Sequence, residues 1–256
     1  VTVRVIKLGG RAQAAPALPT LLATAAAGAR VIVVHGGGDE VSAMQRQLGL
    51  EPQFSGGRRV TSAADLVVVR MMLSGTINKR LVAQLLSAGV RAVGVSGEDG
   101  ALLSARVVDP SFGRVGRDVQ ADPTLVRDLL AAHWVPVVSP LARDRNSDAG
   151  LGLNVNGDDA ATALAVALRA DELLFVSDVA GVLDDGVRIP RLDASAIQAL
   201  AARGVVQGGM LAKLEAATAA IDAGVGAVRI GTLEALADAT AGSTIVSAVS
   251  VPQDHP

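Results

Sequence analysis

Unbroken runs of aliphatic residues, each closed by glycine or a small polar residue, constrain this chain more than any other feature. "VIVV" (31–34), "VPVV" (135–138) and "LLFV" (173–176) carry no polar alternate. A strand that is apolar on both faces is covered on both faces, which is the condition of a parallel sheet between two helical layers. Such runs place strands at Val1–Leu8, Val31–His35, Val90–Ser96, Val135–Ser139, Leu173–Ser177 and Ala227–Ile230. Between them lie Ala/Leu-rich segments of helical period: Pro16–Ala27, Asp39–Leu48, Thr76–Ala88, Thr124–His133, Asp159–Arg169, Ala194–Arg203 and Met210–Ala223. Asp122 before Pro123 reads as a helix cap followed by proline at the first turn, and Ser62 with Asp65 as a capping box. The fold class is α/β, a three-layer αβα sandwich around a mainly parallel sheet. Aromatics make up only 2% of the chain, so Val, Leu, Ile and Ala must fill its core.

Two Gly- and Pro-containing charged stretches, 51–62 and 106–122, break the rhythm and read as hairpins or lids at the sheet edge. A polar, Gly-rich stretch near 140–155 reads as the boundary between two lobes, 1–150 and 151–256. The chain has no cysteine, which excludes disulfides, thiolate catalysis and zinc–cysteine sites. Its net charge of -2 contains no basic or acidic block, so neither nucleic acid nor a membrane surface is an expected partner. No apolar run reaches the length of a membrane span, and the first residues read as a strand rather than a signal peptide. A soluble cytoplasmic protein is the expectation.

The glycines cluster where strands end: "IKLGG" (6–10), "VHGGGDE" (34–40), "VGVSGEDG" (93–100), "FVSDVAGVL" (175–183) and "RIGT" (229–232). Ligands of open α/β sheets bind at the carboxyl ends of strands, where glycine allows close approach and bare N–H groups hold anions. One such loop is explained by a tight turn alone; two, after the first two strands, favour phosphate. The P-loop pattern and the dinucleotide fingerprint are both absent.

Only three lysines occur: Lys7, Lys79 and Lys213. Each could be an ordinary solvated charge. Lys7, however, adjoins Gly9–Gly10, and Lys213 follows "QGGML" at a helix start. In "NVNGDDAATALA" (154–165), Asp158 reads either as a helix cap or as a carboxylate that orients lysines, and Asn154 equally as a turn residue. There is no tyrosine; His35 reads as a hydrogen bonder at a strand end, His133 lies at a helix end and His255 in the tail. Without a clear base, the chemistry should not require deprotonation of an alcohol. A carboxylate acceptor, with a pKa of about 4, is already ionised. Phosphoryl transfer to it needs mainly alignment and charge neutralisation.

Together "IKLGG", "VVHGGGDEV", "GGRRVTSAADL", "GTINKRLV", "AVGVSGEDG", "VPVVSP", "LNVNGDDAATALA", "VSDVAGVL" and "GGMLAKLEAA" resemble, in order, the amino acid kinase family, and its acetylglutamate branch above its carbamate, aspartate or uridylate branches. The resemblance implies transfer of the γ-phosphate of ATP to the side-chain carboxylate of N-acetyl-L-glutamate. It implies that Lys7 neutralises the travelling phosphoryl group, Lys213 stabilises the leaving side and Asp158 holds both lysines. Gly9 and Gly10 would donate N–H groups to phosphate. Gly37 and Gly38 would lie against N-acetylglutamate, with Arg59 and Asn154 gripping it. Asp178, Val179, Ala180, Gly181, Val182 and Leu183, with Val205, Val206 and Gln207, would line the nucleotide. Magnesium would ride mainly on the ATP phosphates, with no metal-ligating residue named. The resemblance also implies a homodimer formed through a helix near Leu66–Leu73, and closure of 51–62 and 106–122 over the acyl phosphate.

Arg58 stands where the family often carries leucine, so it competes with Arg59 for the substrate role. Gly157 replaces a common alanine, and Ala212 a common proline. The chain begins at its first strand, which implies weak sensitivity to arginine. Two alternatives stay open on sequence: a relative acting on carrier-linked aminoadipate, read by Arg58, Arg59, Arg114 and Arg117, and a non-catalytic sensor of nucleotide or amino acid.

Overall fold

The computed structural model describes residues 1–55, 58–107, 109–147 and 151–247. In chain order the first half contains β1 (Val3–Leu8), α1 (Leu18–Gly28), β2 (Arg30–His35), α2 (Gly38–Gln47), β3 (Phe54–Ser55), β4 (Arg58–Arg59), α3 (Ala63–Arg70), α4 (Asn78–Ser87), β5 (Ala92–Ser96), β6 (Leu103–Arg106), β7 (Arg117–Ala121), α5 (Thr124–Ala131), β8 (Val135–Ser139) and β9 (Leu141–Asp144). The second half adds β10 (Gly152–Asn154), α6 (Gly157–Leu168), β11 (Glu172–Val176), β12 (Leu183–Asp184), β13 (Val187–Arg188), β14 (Arg191–Leu192), α7 (Ala194–Ala202), α8 (Gly208–Asp222), β15 (Ala227–Gly231) and β16 (Ser243–Ile245).

Eight strands form the main sheet in the order β14-β16-β15-β11-β1-β2-β8-β5. Only the β15–β16 pairing is antiparallel. The sheet is continuous across both halves of the chain, because β1 pairs with β2 on one side and β11 on the other. Alternate residues feed separate cores. Val5, Ile32, Val34, Leu173 and Phe175 meet α5, α6, α7 and α8. Ile6, Leu8, Val31, Val33 and Leu174 meet α1, α2, α3 and α4. Two apolar cores on opposite faces of one sheet make the three-layer sandwich.

Lys7 follows from this alternation. It shares the face of Val3 and Val5, so its stem points towards α6 and α8. Phe175 is its register partner on β11.

The stretches 51–62 and 106–122 do contribute hairpins. β3 pairs with β4, and β6 with β7. The second of these belongs to a four-stranded sheet, β10-β9-β6-β7, on the α6 face. The stretch near 140–155 carries β9 and β10, because Leu141, Ala142 and Leu153 are fully buried.

Other local readings are refined. The capping box of Ser62 and Asp65 is complete. Helix α3 does not stop before α4: Met71–Ile77 continues it as π-helix. Asp122 accepts the Thr124 N–H at 3.0 Å, with Pro123 itself at the cap position. Among the described residues no helix is long and apolar enough to cross a membrane.

Candidate active site

The carboxyl ends of β1, β2 and β11 lie side by side, and the glycine loops follow them. Helix α6 begins beside these loops. Its cap is Asn156, whose side chain accepts the Asp158 N–H at 2.7 Å. The cap role that the sequence left open for Asp158 is thereby filled by its neighbour, and the Asp158 carboxylate is released for other partners. Lys7 Nζ lies 2.7 Å from Asp158 Oδ1. Lys213 Nζ donates to Asp158 Oδ2, also at 2.7 Å. Lys213 Nζ sits 4.6 Å from the centroid of the Phe175 ring, which supports the ammonium from below.

The three side chains are 17%, 16% and 24% exposed, so their charges act in a partly dry medium that solvent still reaches. Burial pushes the Asp158 carboxyl up, but the two ammonium groups more than reverse this and hold it below the ordinary carboxylate range. Two cations for one anion leave a surplus positive charge at this point. Asp159, the next residue, is displaced the other way: burial, then the Asp158 charge, raise it, with Arg117 opposing.

A cavity of about 240 Å³ opens beside the lysine pair, lined in part by Gly37, Gly38, Arg59, Asn154, Asn156 and Asp159. Arg59 is fixed by neutral acceptors only. Its guanidinium donates to Gly38 O at 2.7 Å and Ser42 Oγ at 2.6 Å, and to Gln45 Oε1. It packs over Phe54, 4.8 Å from the ring centroid. Burial lowers its pKa, yet it makes no ion pair among the described residues. A partly buried cation in no direct ion pair among the described residues, with Asp65 and Asp39 acting on it only from farther off, faces a cavity and suits an anionic ligand. Asn154 Nδ2 donates to Thr61 Oγ1 at 3.1 Å.

The second glycine loop is held from below. His35 is fully buried, with Nδ1 2.9 Å from Gly36 O and Nε2 3.2 Å from Asn78 Nδ2. Burial drives its pKa down to about 4, so the ring is neutral and both nitrogens are engaged in structure. Gln13 Nε2 donates to the same Gly36 carbonyl at 3.1 Å. The π-helical segment supplies the ceiling: a Cβ on Gly37 would lie 2.3 Å from Ile77 Cδ1. Only glycine fits there without moving the Ile77 side chain.

The Gly9 N–H is already donated to Val176 O at 3.1 Å, which joins β1 to β11. Of the first glycine pair, therefore, Gly10 keeps an N–H unclaimed by the described residues. Residues 178–183 leave the end of β11, with Asp178, Val179 and Ala180 exposed and Val182 buried. The Val182 N–H is held by Ser243 Oγ at 2.8 Å. Val205, Val206 and Gln207 lead into α8, and Val206 shares the core of Val182. Both segments are thus anchored beside the helix that carries Lys213.

Of the four arginines available to a carrier-bound acceptor, Arg114 lies 3.3 Å from Asp144 and is neutralised there. Arg59 is turned into the cavity, and the side chain of Arg58 lies outside the described residues, as do the side chain of Ala212 and His255. A methyl group at Gly157 would meet only Lys7 Cε, at 3.4 Å, and His35 O, at 3.7 Å. Sequence reading passed over Asn156, Asp159 and the Ser42–Gln45 support of Arg59. The doubled Asp in "NGDDAA" was the one available signal for Asp159.

The model of the amino acid kinase family matches residues 2–232. The chain is 44% identical to an acetylglutamate kinase of Rubrobacter xylanophilus, over 94% of each protein. It is 43% identical to one of Chloroflexus aurantiacus, over 93% of this chain and 94% of the relative. Among solved structures, smu.665 of Streptococcus mutans superposes with a TM-score of 0.82 at 30% identity, covering 95% of this chain and 98% of that one.

Proposed function

The chain belongs to the amino acid kinase family, and from that premise we propose that it transfers the γ-phosphoryl group of ATP to the side-chain carboxylate of N-acetyl-L-glutamate. The observation that carries the reading is the meeting of Lys7 and Lys213 on Asp158 beside a cavity that holds the unpaired Arg59. Arg59 takes the α-carboxylate of the acceptor and Asn154 its acetamido group. The acceptor's side-chain carboxylate, ionised at neutral pH, then faces Lys7. Its oxygen forms a bond to the γ-phosphorus as the bond to the β-phosphate oxygen breaks, and ADP leaves with that electron pair. No proton changes hands. Lys7 offsets the charge of the travelling group and Lys213 that of the departing oxygen, which is where catalysis of phosphoryl transfer lies.

The first 150 residues hold the acceptor and the remainder the nucleotide, with Asn154 and Asp158 reaching back across. Residues 178–183 and 205–207 line the nucleotide, with Gly10 towards its phosphates. Both Asp158 oxygens are engaged by ammonium groups, so that carboxylate is not free for a cation, and magnesium is carried by the nucleotide phosphates. A homodimer through α3 and the start of the π-helical segment, where Val67 and Met71 expose apolar surface one turn apart, and a cytoplasmic setting belong to the same proposal.

A coupled ADP-release assay with N-acetyl-L-glutamate, L-glutamate, L-aspartate and 2-aminoadipate tests it. Turnover with N-acetyl-L-glutamate above the others is expected. Preference for another acceptor, or no ADP release with any, overturns it.

A further inference from the structure

Arg11 follows the first glycine pair directly, and the mechanism above gives it no part. Its guanidinium is 80% exposed and donates to Asp178 Oδ2 at 3.0 Å, with the Asp178 side chain 56% exposed. The pair spans the carboxyl ends of β1 and β11, adjacent strands in register from Arg4↔Glu172 to Leu8↔Val176. Arg11 also lines a cavity of about 440 Å³ together with Gly10 and Gly37, so it borders both glycine loops. An ion pair this exposed is screened by water and is easily given up. A guanidinium is also better matched to phosphate than an ammonium, because it presents a planar fork of donors.

We propose that Arg11 is a further phosphate-binding residue: Asp178 holds its guanidinium at the mouth of the first glycine loop until a nucleoside triphosphate arrives, and the guanidinium then passes from the carboxylate to the phosphate oxygens. This rests on the nucleotide reading of the site. It differs from Lys7 and Lys213 in acting on binding, since its side chain lies outside the lysine–carboxylate cluster.

The test is calorimetric titration of the wild-type chain, Arg11→Ala and Arg11→Lys with ATP and, separately, with adenosine, in the presence of magnesium. Arg11→Ala should weaken ATP binding about 10-fold or more, the scale of a lost hydrogen bond to a charged group. Adenosine binding should be unchanged, and Arg11→Lys should fall between wild type and the alanine variant. A merely structural role would weaken both ligands together, and that result overturns the proposal. Wild-type ATP affinity in Arg11→Ala overturns it alone, whereas failure of the wild-type chain to bind ATP overturns the nucleotide reading with it.

Discussion

Replacing Asp158 by asparagine keeps the shape of the side chain and removes its charge. Two ammonium groups, each 2.7 Å from the carboxylate, then face one another without an anion between them. Losing one partner of a fully buried pair costs about 3–5 kcal/mol, and an exposed pair is worth about 1 kcal/mol at most. Side-chain exposures of 16–24% place this cluster between those limits but nearer the first. We therefore expect a loss of about 2–3 kcal/mol, or about 5–10 °C in Tm for a chain of this size. The effect should depend on pH. The folded Asp158 carboxyl is held below its ordinary value, so its stabilisation is complete above the unfolded pKa and is lost as pH falls through the lowered one. The Tm gap between wild type and Asp158→Asn should thus be full at pH 7 and close in acid. Turnover in the ADP-release assay should fall about 100-fold, the usual consequence of displacing charges by an ångström at a reacting centre. An Asp158→Asn protein with wild-type Tm and wild-type turnover at pH 7 would refute this account of the cluster.

Asp159→Asn should act in the opposite sense. Burial and the neighbouring Asp158 charge raise its carboxyl, so ionised Asp159 costs stability above its folded pKa and the cost is relieved in acid; thermal scans should show Tm about 2–4 °C higher at pH 7, with the gain fading on acidification. Arg59→Lys retains a charge but loses the fork that bonds Gly38 O, Ser42 and Gln45. Its KM for N-acetyl-L-glutamate should rise about 10-fold or more while KM for ATP holds. Gly37→Ala drives a methyl group against Ile77 and should cost about 1–3 kcal/mol in urea unfolding.

The main sheet was legible because its strands are buried on both faces, so "VIVV" and "LLFV" advertise themselves without help from distant contacts. The small sheet was not. β9 and β10 are three or four residues each, and their buried Leu141, Ala142 and Leu153 are scattered among Arg, Asp and Gly. The π-helical bridge from α3 to α4 escaped for a similar reason: Ser74, Gly75 and Thr76 interrupt the apolar period, and the Leu73 and Ile77 side chains meet the Gly37 loop only in the fold. At the site, residue types were readable and backbone allegiance was not. Lys7 stands out at a strand end beside two glycines, and Asp158 at a helix start. That the Gly9 N–H is taken by Val176, far along the chain, depends on a strand pairing no local pattern contains. The cap of α6 falls on Asn156 rather than Asp158, a distinction of two residues that "NVNGDD" leaves open.

In the proposed mechanism two lysines distant in sequence act on one travelling phosphoryl group, and Lys7→Ala removes one of them. The variant should retain the wild-type circular dichroism spectrum and bind ATP, while turnover with N-acetyl-L-glutamate falls about 100–1000-fold. Unchanged turnover in a folded, ATP-binding Lys7→Ala protein would contradict it.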